Sequence, residues 1–189
     1  MTVEDALASH DLAPTLVTPL AAFVTLFESW NQRINLSAAR TRDAIDDHVI
    51  DSLAVIPHLR DAKRVLDVGS GGGFPVVVAA ICRSDVEFVA LEPVHKKHAF
   101  LRTAARELAL PNLEALAQRL DDHPRRDYDL AMSRATFDLE TWFAEAARFV
   151  RPGGVIIGFE GMPTSLSAPI ERFPYPLRDR TRAILVLRT

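Results

Sequence analysis

The chain has 189 residues, of which 48% are hydrophobic and 25% charged, and this balance is that of one globular domain with a sizeable core. Its formal charge of −3 excludes a surface coated with positive charge, although a local basic face remains compatible with it. The single cysteine excludes an internal disulfide framework and favours the reducing cytoplasm, and no apolar run is long enough to predict a membrane span.

Residues 1–60 are predicted to be helical and to cap the sheet that follows, within one domain that spans residues 1–189. Leu20, Phe23 and Phe27 recur at helical spacing, and the stretch IDDHVIDSLAVI repeats the pattern. Between them, WNQRINLSAA has two asparagines around a short apolar pair, which is typical of a helix end followed by a turn.

From Arg64 onward, apolar strands alternate with helices, which predicts βαβ units and a mainly parallel sheet. The predicted strands are RVLDVG, VEFVALE, LEALA, YDLAMS, VIIGFE and AILVLR. The predicted helices cover residues 74–82, 96–108 and 139–150. The proline-rich stretch PIERFPYPLRD, residues 169–179, is interpreted as a connection, and the last strand is expected to pair antiparallel at or near the sheet edge.

The stretch VLDVGSGGGFP, residues 65–75, places a dense glycine turn between a buried strand and an apolar helix. Glycines permit positive φ and let a ligand approach the main chain closely. An open α/β sheet builds nucleotide sites at such turns, at the carboxyl ends of its strands. The alternative is a tight turn without a ligand.

The residues around the turn favour one ligand over others. The dinucleotide fingerprint requires a glycine at position 74, where Phe74 stands, which argues against an NAD-dependent dehydrogenase. Asp67 before the turn and Glu92 after the next strand suggest a ligand with a cationic end and a ribose diol. S-adenosyl-L-methionine (AdoMet) has both features.

Several motifs in order resemble the bacterial RsmG (GidB) methyltransferases, which make 7-methylguanosine in 16S ribosomal RNA. These motifs are WNQRINLSA, HVIDSLA, VLDVGSGGGFP, LEPVHKKHAFL, QRLDD and SRA, spread from residue 30 to residue 135. The resemblance implies an α/β class I AdoMet-dependent methyltransferase fold, Rossmann-like, with a mixed seven-stranded sheet and helices on both sides.

The resemblance also implies a cofactor site. The methionine part of AdoMet is expected over the turn, beside Phe74, with the ribose hydroxyls on Glu92. Leu120 and Asp121 are expected to frame the adenine, and Arg134 is expected between cofactor and RNA as the catalytic, orienting residue. The expected cofactor-binding residues are Asp67, Gly69, Ser70, Gly71, Phe74, Glu92, Leu120, Asp121 and Arg134.

The expected RNA contacts are basic residues that lie on one helix, beside the adenine site and in the C-terminal tail: Lys96, Lys97, Arg119 and Arg182. The tail holds five arginines against two acids from residue 171 onward. Arg182 is placed just before the last strand and outside the AdoMet pocket. The competing interpretations are a solvated helix face, and an edge-strand charge that prevents association of sheets.

Two positions depart from the family's pattern. Val76 stands where the family usually has glycine, and Glu160 stands where the fifth strand of the family tends to end in lysine. A glutamate near an RNA surface would reverse an attractive charge.

The expected partner is 16S rRNA or the small ribosomal subunit, and the chain is expected to act as a monomer without metal or membrane. Guanine N7 has a free lone pair, so methylation there needs alignment and no general base. His48 and Asp51 are interpreted as a helix-surface pair or as a link between cap and sheet. The alternatives are a methyltransferase of this fold with another substrate, and a noncatalytic AdoMet- or RNA-binding protein.

Overall fold

The computed structural model describes residues 1–134, 138–167 and 169–189. The N-terminal part forms three α-helices, as predicted: α1 (Val3–Ser9), α2 (Val17–Ile34) and α3 (Arg42–Leu53). The Thr2 hydroxyl caps α1 by accepting from the Asp5 amide, and Thr41 caps α3 in the same way. Helix α2 ends where Asn35 takes a left-handed φ of 52°, so the predicted turn is confirmed.

In the part of the chain that the structure describes, seven strands form one mixed sheet. They are β1 (Arg64–Val68), β2 (Glu87–Leu91), β3 (Leu113–Leu116), β4 (Tyr128–Ser133), β5 (Val150–Glu160), β6 (Glu171–Leu177) and β7 (Arg180–Arg188). Their order is β3-β2-β1-β4-β5-β7-β6, with β1 to β5 parallel and the last two strands antiparallel. The connection from β3 crosses to β4 on the other side of β1, and such a reversal opens a ligand crevice at the carboxyl strand ends.

The sheet is covered by the helices α4 (Val76–Cys82), α5 (His95–Glu107) and α6 (Leu139–Ala146). One apolar core joins the cap, α4 and α5 to one face, and a second packs α6 against the other. Alternation along β1 sends Val65 to the first core and Leu66 to the second. Within the described parts of the chain, no helix has the length and apolar character of a membrane span.

The sequence predictions for the bounds of α6 and β5 are wrong. The helix predicted over residues 139–150 ends at Ala146, and Val150 already pairs with Tyr128 as the start of β5. Pro152 disfavours helical backbone at Arg151, which is consistent with the extended conformation at the start of β5. The fifth strand is correspondingly longer than VIIGFE.

The proline-rich segment interpreted as a connection forms strand β6 over Glu171–Leu177. It lies at the edge of the sheet and has a neighbouring strand on one side only. Pro174 and Pro176 lack a backbone N–H, and an edge strand tolerates this because one of its sides needs no hydrogen bonds to another strand. Arg178, at φ 53°, turns the chain into β7, which begins at Arg180 rather than at Ala183. The expectation of an antiparallel last strand near the edge is confirmed.

An aromatic cluster joins the cap to the glycine turn. The ring of Phe74 lies 5.0 Å from that of Phe23 and 5.1 Å from that of Phe27, between centroids, and Phe27 also packs against Phe100 of α5 at 6.0 Å. A Cβ atom at Gly72 would lie 2.6 Å from the Phe27 ring. The glycine therefore permits the cap to pack directly on the turn.

We expect Phe27→Ala to lower the free energy of unfolding by about 3–5 kcal/mol, because it removes a fully buried ring and leaves a cavity. Urea denaturation followed by circular dichroism measures the loss. Ser29→Ala, at an exposed position of the same helix, is the matched control and should change stability little. A loss below about 1 kcal/mol for Phe27→Ala would contradict the proposed packing of the cap.

Candidate active site

A cleft of about 600 Å³ lies between the cap and the carboxyl ends of β1, β2 and β4. We call it the cap cleft. Its lining comes from the cap, the glycine turn, the segment after β2, and the ends of β4 and β7: Leu36, Ser37, His48, Gly69, Ser70, Gly71, Gly72, Phe74, Glu92, Pro93, Val94, Lys97, Arg134 and Arg182. The fold therefore brings together residues that are distant in sequence.

Glu92 holds the glycine turn in place. Its Oε2 accepts a hydrogen bond from the Gly71 amide and its Oε1 accepts one from the Val94 amide, both at 2.8 Å. Gly71 adopts a φ of 53°, which a side chain would strain. Each carboxylate oxygen has a second acceptor site, so Glu92 can support the turn and still accept ligand hydroxyls.

Asp67 lies beneath this turn as a buried, unpartnered carboxyl group. It is 1% exposed and does not line the cap cleft, and neither of its oxygens has a hydrogen-bond partner among the residues that the structure describes. Burial raises the pKa of Asp67 to about 7. An unpaired acid beside a ligand cleft suits a cationic ligand, which fits the predicted AdoMet.

A second pocket, of about 510 Å³, lies on the other side of the β1 and β2 ends. We call it the β4-side pocket. It shares Gly69 and Pro93 with the cap cleft, and its remaining lining includes Arg119, Leu120 and Asp121. Leu120 is buried and supplies an apolar wall, whereas Asp121 is exposed.

The loop that carries Leu120 and Asp121 is anchored by a buried histidine. His123 Nε2 lies 2.7 Å from the Tyr128 hydroxyl, and its Nδ1 lies 3.2 Å from Gln118 Oε1. Burial lowers the pKa of His123, so the ring stays neutral and bridges the two groups at physiological pH. The β4-side pocket therefore has a fixed wall.

Arg134 follows β4 and lies on the wall of the cap cleft. Its Nη1 donates to Asp51 Oδ2 at 3.0 Å and contacts His48 Nδ1 at 3.3 Å, and its guanidinium lies 5.4 Å from the Phe74 ring centroid. Because arginine only donates, Nδ1 of His48 accepts and Nε2 faces the Ser37 hydroxyl at 3.1 Å. Burial and then Arg134 lower the pKa of His48 to about 4, so this ring is neutral.

Arg182 also lines the cap cleft, so it lies closer to the glycine turn than its expected place in a separate tail indicated. It lies within β7, not before it, and its Nε is 3.2 Å from Asp51 Oδ1. The Tyr175 hydroxyl donates to the same oxygen at 2.6 Å. The β6–β7 hairpin brings Arg182 to the cleft. This hairpin was not predicted from the sequence, because β6 was interpreted as a connection.

The other predicted RNA contacts are dispersed. Lys97 lines the cap cleft, Lys96 is exposed one residue earlier on α5, and Arg119 lines the β4-side pocket. Most of the arginine tail is engaged in ion pairs, namely Arg172–Glu160, Arg178–Asp47, Arg182–Asp51 and Arg188–Glu171. The tail is therefore not a row of free cations.

Glu160 is not an exposed charge, contrary to the expectation of a reversed charge at an RNA surface. It is buried, and Arg172 binds both of its oxygens at 2.7 Å while the Thr164 amide donates at 2.8 Å. These bonds to Arg172 lower the pKa of Glu160. The residue anchors the segment after β5. Val76 is fully buried at the start of α4.

Sequence reasoning did not assign Ser37, His48, Asp51 and Tyr175 to the surroundings of the site. Three of them belong to the motifs WNQRINLSA and HVIDSLA, so the signal was present, but only the fold places the cap beside the strand ends. Of the motif SRA, Ser133 donates to the Val68 carbonyl at 2.8 Å, and Ala135 lies outside the described residues. Over the described ranges, no cluster of acids, histidines and cysteine suits a metal ion.

Comparison with known proteins gives consistent findings. The family model for GidB, rRNA small subunit methyltransferase G, matches residues 17–165. The ribosomal RNA small subunit methyltransferase G of Neisseria gonorrhoeae is 34% identical over 188 residues, covering 94% of this chain and 91% of the relative. The protein of that name from Nitrosococcus oceani is 37% identical over 153 residues, covering 80% and 71%.

Two solved structures have the same fold. Cofactor-bound Rv0187 from MTB superposes with a TM-score of 0.62 at 18% identity, covering 89% of this chain and 88% of that one. The O-methyltransferase TomG from Streptomyces achromogenes, in complex with SAM, superposes with a TM-score of 0.60 at 16% identity, covering 88% and 89%. The predicted class I AdoMet-dependent methyltransferase fold is confirmed.

The raised pKa of Asp67 predicts a pH-dependent cost to stability. The folded chain keeps this proton up to about pH 7, whereas the unfolded chain loses it near the ordinary aspartate value of 3.8, so stability falls as pH rises between these values. We expect Asp67→Asn to remove about 2–3 kcal/mol of the stability loss between about pH 5 and pH 8. Urea denaturation of both proteins at the two pH values measures it.

His48 acts in the opposite direction over part of this range, because its lowered pKa makes stability fall as pH decreases from 6.5 towards 4. That contribution is common to the wild type and the variant and cancels in the comparison. Identical pH dependence of the two proteins would show that Asp67 is already ionised in the folded chain at the lower pH.

Proposed function

Because the chain belongs to the rRNA small subunit methyltransferase G family, we propose that it methylates N7 of a guanine in 16S rRNA, with AdoMet as methyl donor. The protein is an AdoMet-dependent rRNA methyltransferase. The observation that carries the proposal is the cap cleft, whose lining combines the glycine turn and Glu92 with Arg134 and Arg182. An acidic side suits a cationic donor, and a cationic side suits RNA.

The two pockets fit the parts of AdoMet. They meet at Gly69 and Pro93, so one elongated ligand can occupy both. We assign the ribose hydroxyls to Glu92, the adenine to the wall formed by Leu120 and Asp121, and the cationic methionine end to the neighbourhood of Asp67. The turn residues Gly69, Ser70, Gly71 and Phe74 line the cap cleft, and of these Gly69 also lines the β4-side pocket. When bound there, AdoMet supplies a methyl group on a positively charged sulfur.

The hydrogen bonds in the cleft favour guanine N7 as the acceptor. Among the described residues of the cap cleft, Glu92 uses both oxygens to hold backbone amides, and the acceptor nitrogen of His48 faces Arg134. His48 is therefore not available to remove a proton from a substrate, and Glu92 is assigned to the turn and to the ribose hydroxyls. N7 carries a lone pair and no proton, so its methylation needs only alignment and exclusion of water.

Arg134 is the proposed orienting residue for the target guanine. Its guanidinium is held by Asp51 and His48 beside the Phe74 ring, which fixes its position with respect to the turn. A planar guanidinium can donate two parallel hydrogen bonds to O6 or to phosphate, and leave N7 free to attack. Arg182 and Lys97 extend the same cationic wall, and Lys96 and Arg119 are proposed to contact flanking RNA.

We further propose that the protein works in the cytoplasm as a monomer, because its substrate is ribosomal RNA and one chain contains the whole proposed site. Size-exclusion chromatography with light scattering tests the oligomeric state. A stable dimer would contradict the monomer, and mixing of differently mutated chains would then show whether the RNA contacts come from one chain or from both.

The decisive experiment incubates the protein with labelled AdoMet and either unmodified small-subunit RNA or the assembled subunit. We expect one methyl group per RNA, and nucleoside mass spectrometry should identify 7-methylguanosine. Gly71→Val should abolish AdoMet binding, measured by calorimetry, because valine strains the positive φ and fills the approach to the turn. Ser29→Ala is the control.

The possible outcomes show separately whether the predicted acceptor atom and the predicted acceptor molecule are correct. A methyl group on another atom of rRNA would contradict the N7 assignment alone. A protein that binds AdoMet but methylates neither RNA substrate would contradict the proposed acceptor.

We expect Arg134→Ala to lower kcat by about 10²-fold, because loss of an aligning group moves the base away from the near-attack position. AdoMet affinity and circular dichroism should change little. Arg178→Ala is the matched control, since Arg178 pairs with Asp47 of the same helix α3 but lies outside the cap cleft. Wild-type turnover by Arg134→Ala would remove this residue from the reaction.

A further inference from the structure

One buried carboxylate binds both arginines of the cap cleft. Asp51 of α3 is 1% exposed and does not line the cleft itself. Its Oδ2 accepts from Arg134 at 3.0 Å, and its Oδ1 lies 3.2 Å from Arg182 Nε and 2.6 Å from the Tyr175 hydroxyl. Asp51 thus connects the cap with the end of β4 and with both strands of the β6–β7 hairpin.

The charges around Asp51 do not balance. Two guanidinium groups meet one carboxylate, and His48 beside them is neutral because of its lowered pKa. In the part of the chain that the structure describes, no second acid lies within ion-pair distance of Arg134 or Arg182. One positive charge therefore remains uncompensated on this wall of the cleft.

We propose that Asp51 is a positioning residue that holds Arg134 and Arg182 as one seat for the phosphate of the target nucleotide. The inference rests on the proposed function, because it assumes that RNA enters the cap cleft. A carboxylate that binds one edge of each guanidinium leaves other N–H groups of both free to donate to phosphate oxygens. Without Asp51, the two cations repel each other and lose their common orientation.

The carboxylate of AdoMet is the other anion that could occupy such a seat. The position of Arg182 favours phosphate. Strand β7 is separated from β1, which leads into the glycine turn, by β4 and β5. Three strand spacings amount to roughly 14 Å, so Arg182 belongs to the outer, RNA-facing part of the cleft.

The test compares Asp51→Asn, Arg182→Ala and the double variant with the wild-type protein, using AdoMet and small-subunit RNA. Asp51→Asn should lower kcat by about 10²-fold, because the arginines lose their alignment. RNA should bind at least as tightly as before, since the site gains one positive charge, and AdoMet affinity should be unchanged. The kcat of the double variant should equal that of the slower single variant, because both substitutions disrupt the same group of interacting side chains.

Two controls separate positioning from general damage. Asp47→Asn removes an acid one turn earlier on α3, whose partner is the exposed Arg178, and should leave turnover unchanged. Asn112→Ala removes an amide that donates to three carbonyls, those of Ala80, Arg83 and Val86, and should lower stability without lowering kcat. If Asp51→Asn does not fold, Asp51→Glu replaces it: the charge is kept but displaced by one methylene, so kcat should fall while RNA affinity is retained.

Several outcomes overturn the inference. A wild-type kcat in Asp51→Asn excludes a positioning role, and so does a wild-type kcat in Asp51→Glu where Asp51→Asn does not fold. Additive losses in the double variant mean that Asp51 does not act through Arg182. If the variants bind AdoMet more weakly than the wild type but bind decarboxylated AdoMet equally well, the arginines hold the carboxylate of the cofactor and not a phosphate. An inactive wild-type protein on both RNA substrates would refute the proposed function, whereas an active one with unaffected variants refutes only this inference.

Discussion

The close contact between Phe27 of the cap and Gly72 of the turn determines where the ligand cleft forms. A single methyl group at position 72 would overlap the Phe27 ring, so the contact exists only because the turn has no side chain there. It brings helix α2 onto the carboxyl ends of the strands and lets Phe74 join the aromatic cluster. The cap cleft is the space that remains between these packed parts, and its cap-side lining, Ser37 and His48, follows from the same contact.

The site contains buried carboxyl groups of two kinds, those that have hydrogen-bond or ion-pair partners and one that has none among the described residues. Glu92 uses two backbone amides to hold the turn, and Asp51 accepts hydrogen bonds from Arg134 and Tyr175 and forms an ion pair with Arg182. Asp67 has no such partner in the described ranges, and its pKa of about 7 lets it keep its proton in the folded chain. An unpaired buried carboxyl group destabilises the folded chain, and a functional site can retain such a group when it interacts with a charged ligand.

The proline-rich segment after residue 168 illustrates a limit of local reasoning. Prolines argue against a central strand, and only the position at the sheet edge makes β6 possible. That hairpin carries Tyr175 and Arg182 to Asp51, more than a hundred residues earlier in the chain. The same long-range pairing explains Glu160, whose charge looked unfavourable in the sequence but is neutralised by Arg172 of β6.

Local sequence was enough to specify the alternation of strands and helices, the glycine turn, the helical N-terminal part and the acids at positions 67 and 92, because short-range periodicity and backbone requirements produce each of them. The order of motifs also identified the family. The folded chain was needed to show that Arg182 lines the cleft, that Glu160 is paired and that Asp51 joins two arginines. Those features depend on which distant segments meet, and the pairing of strand edges and the packing of the cap on the turn are set by the burial of the whole chain.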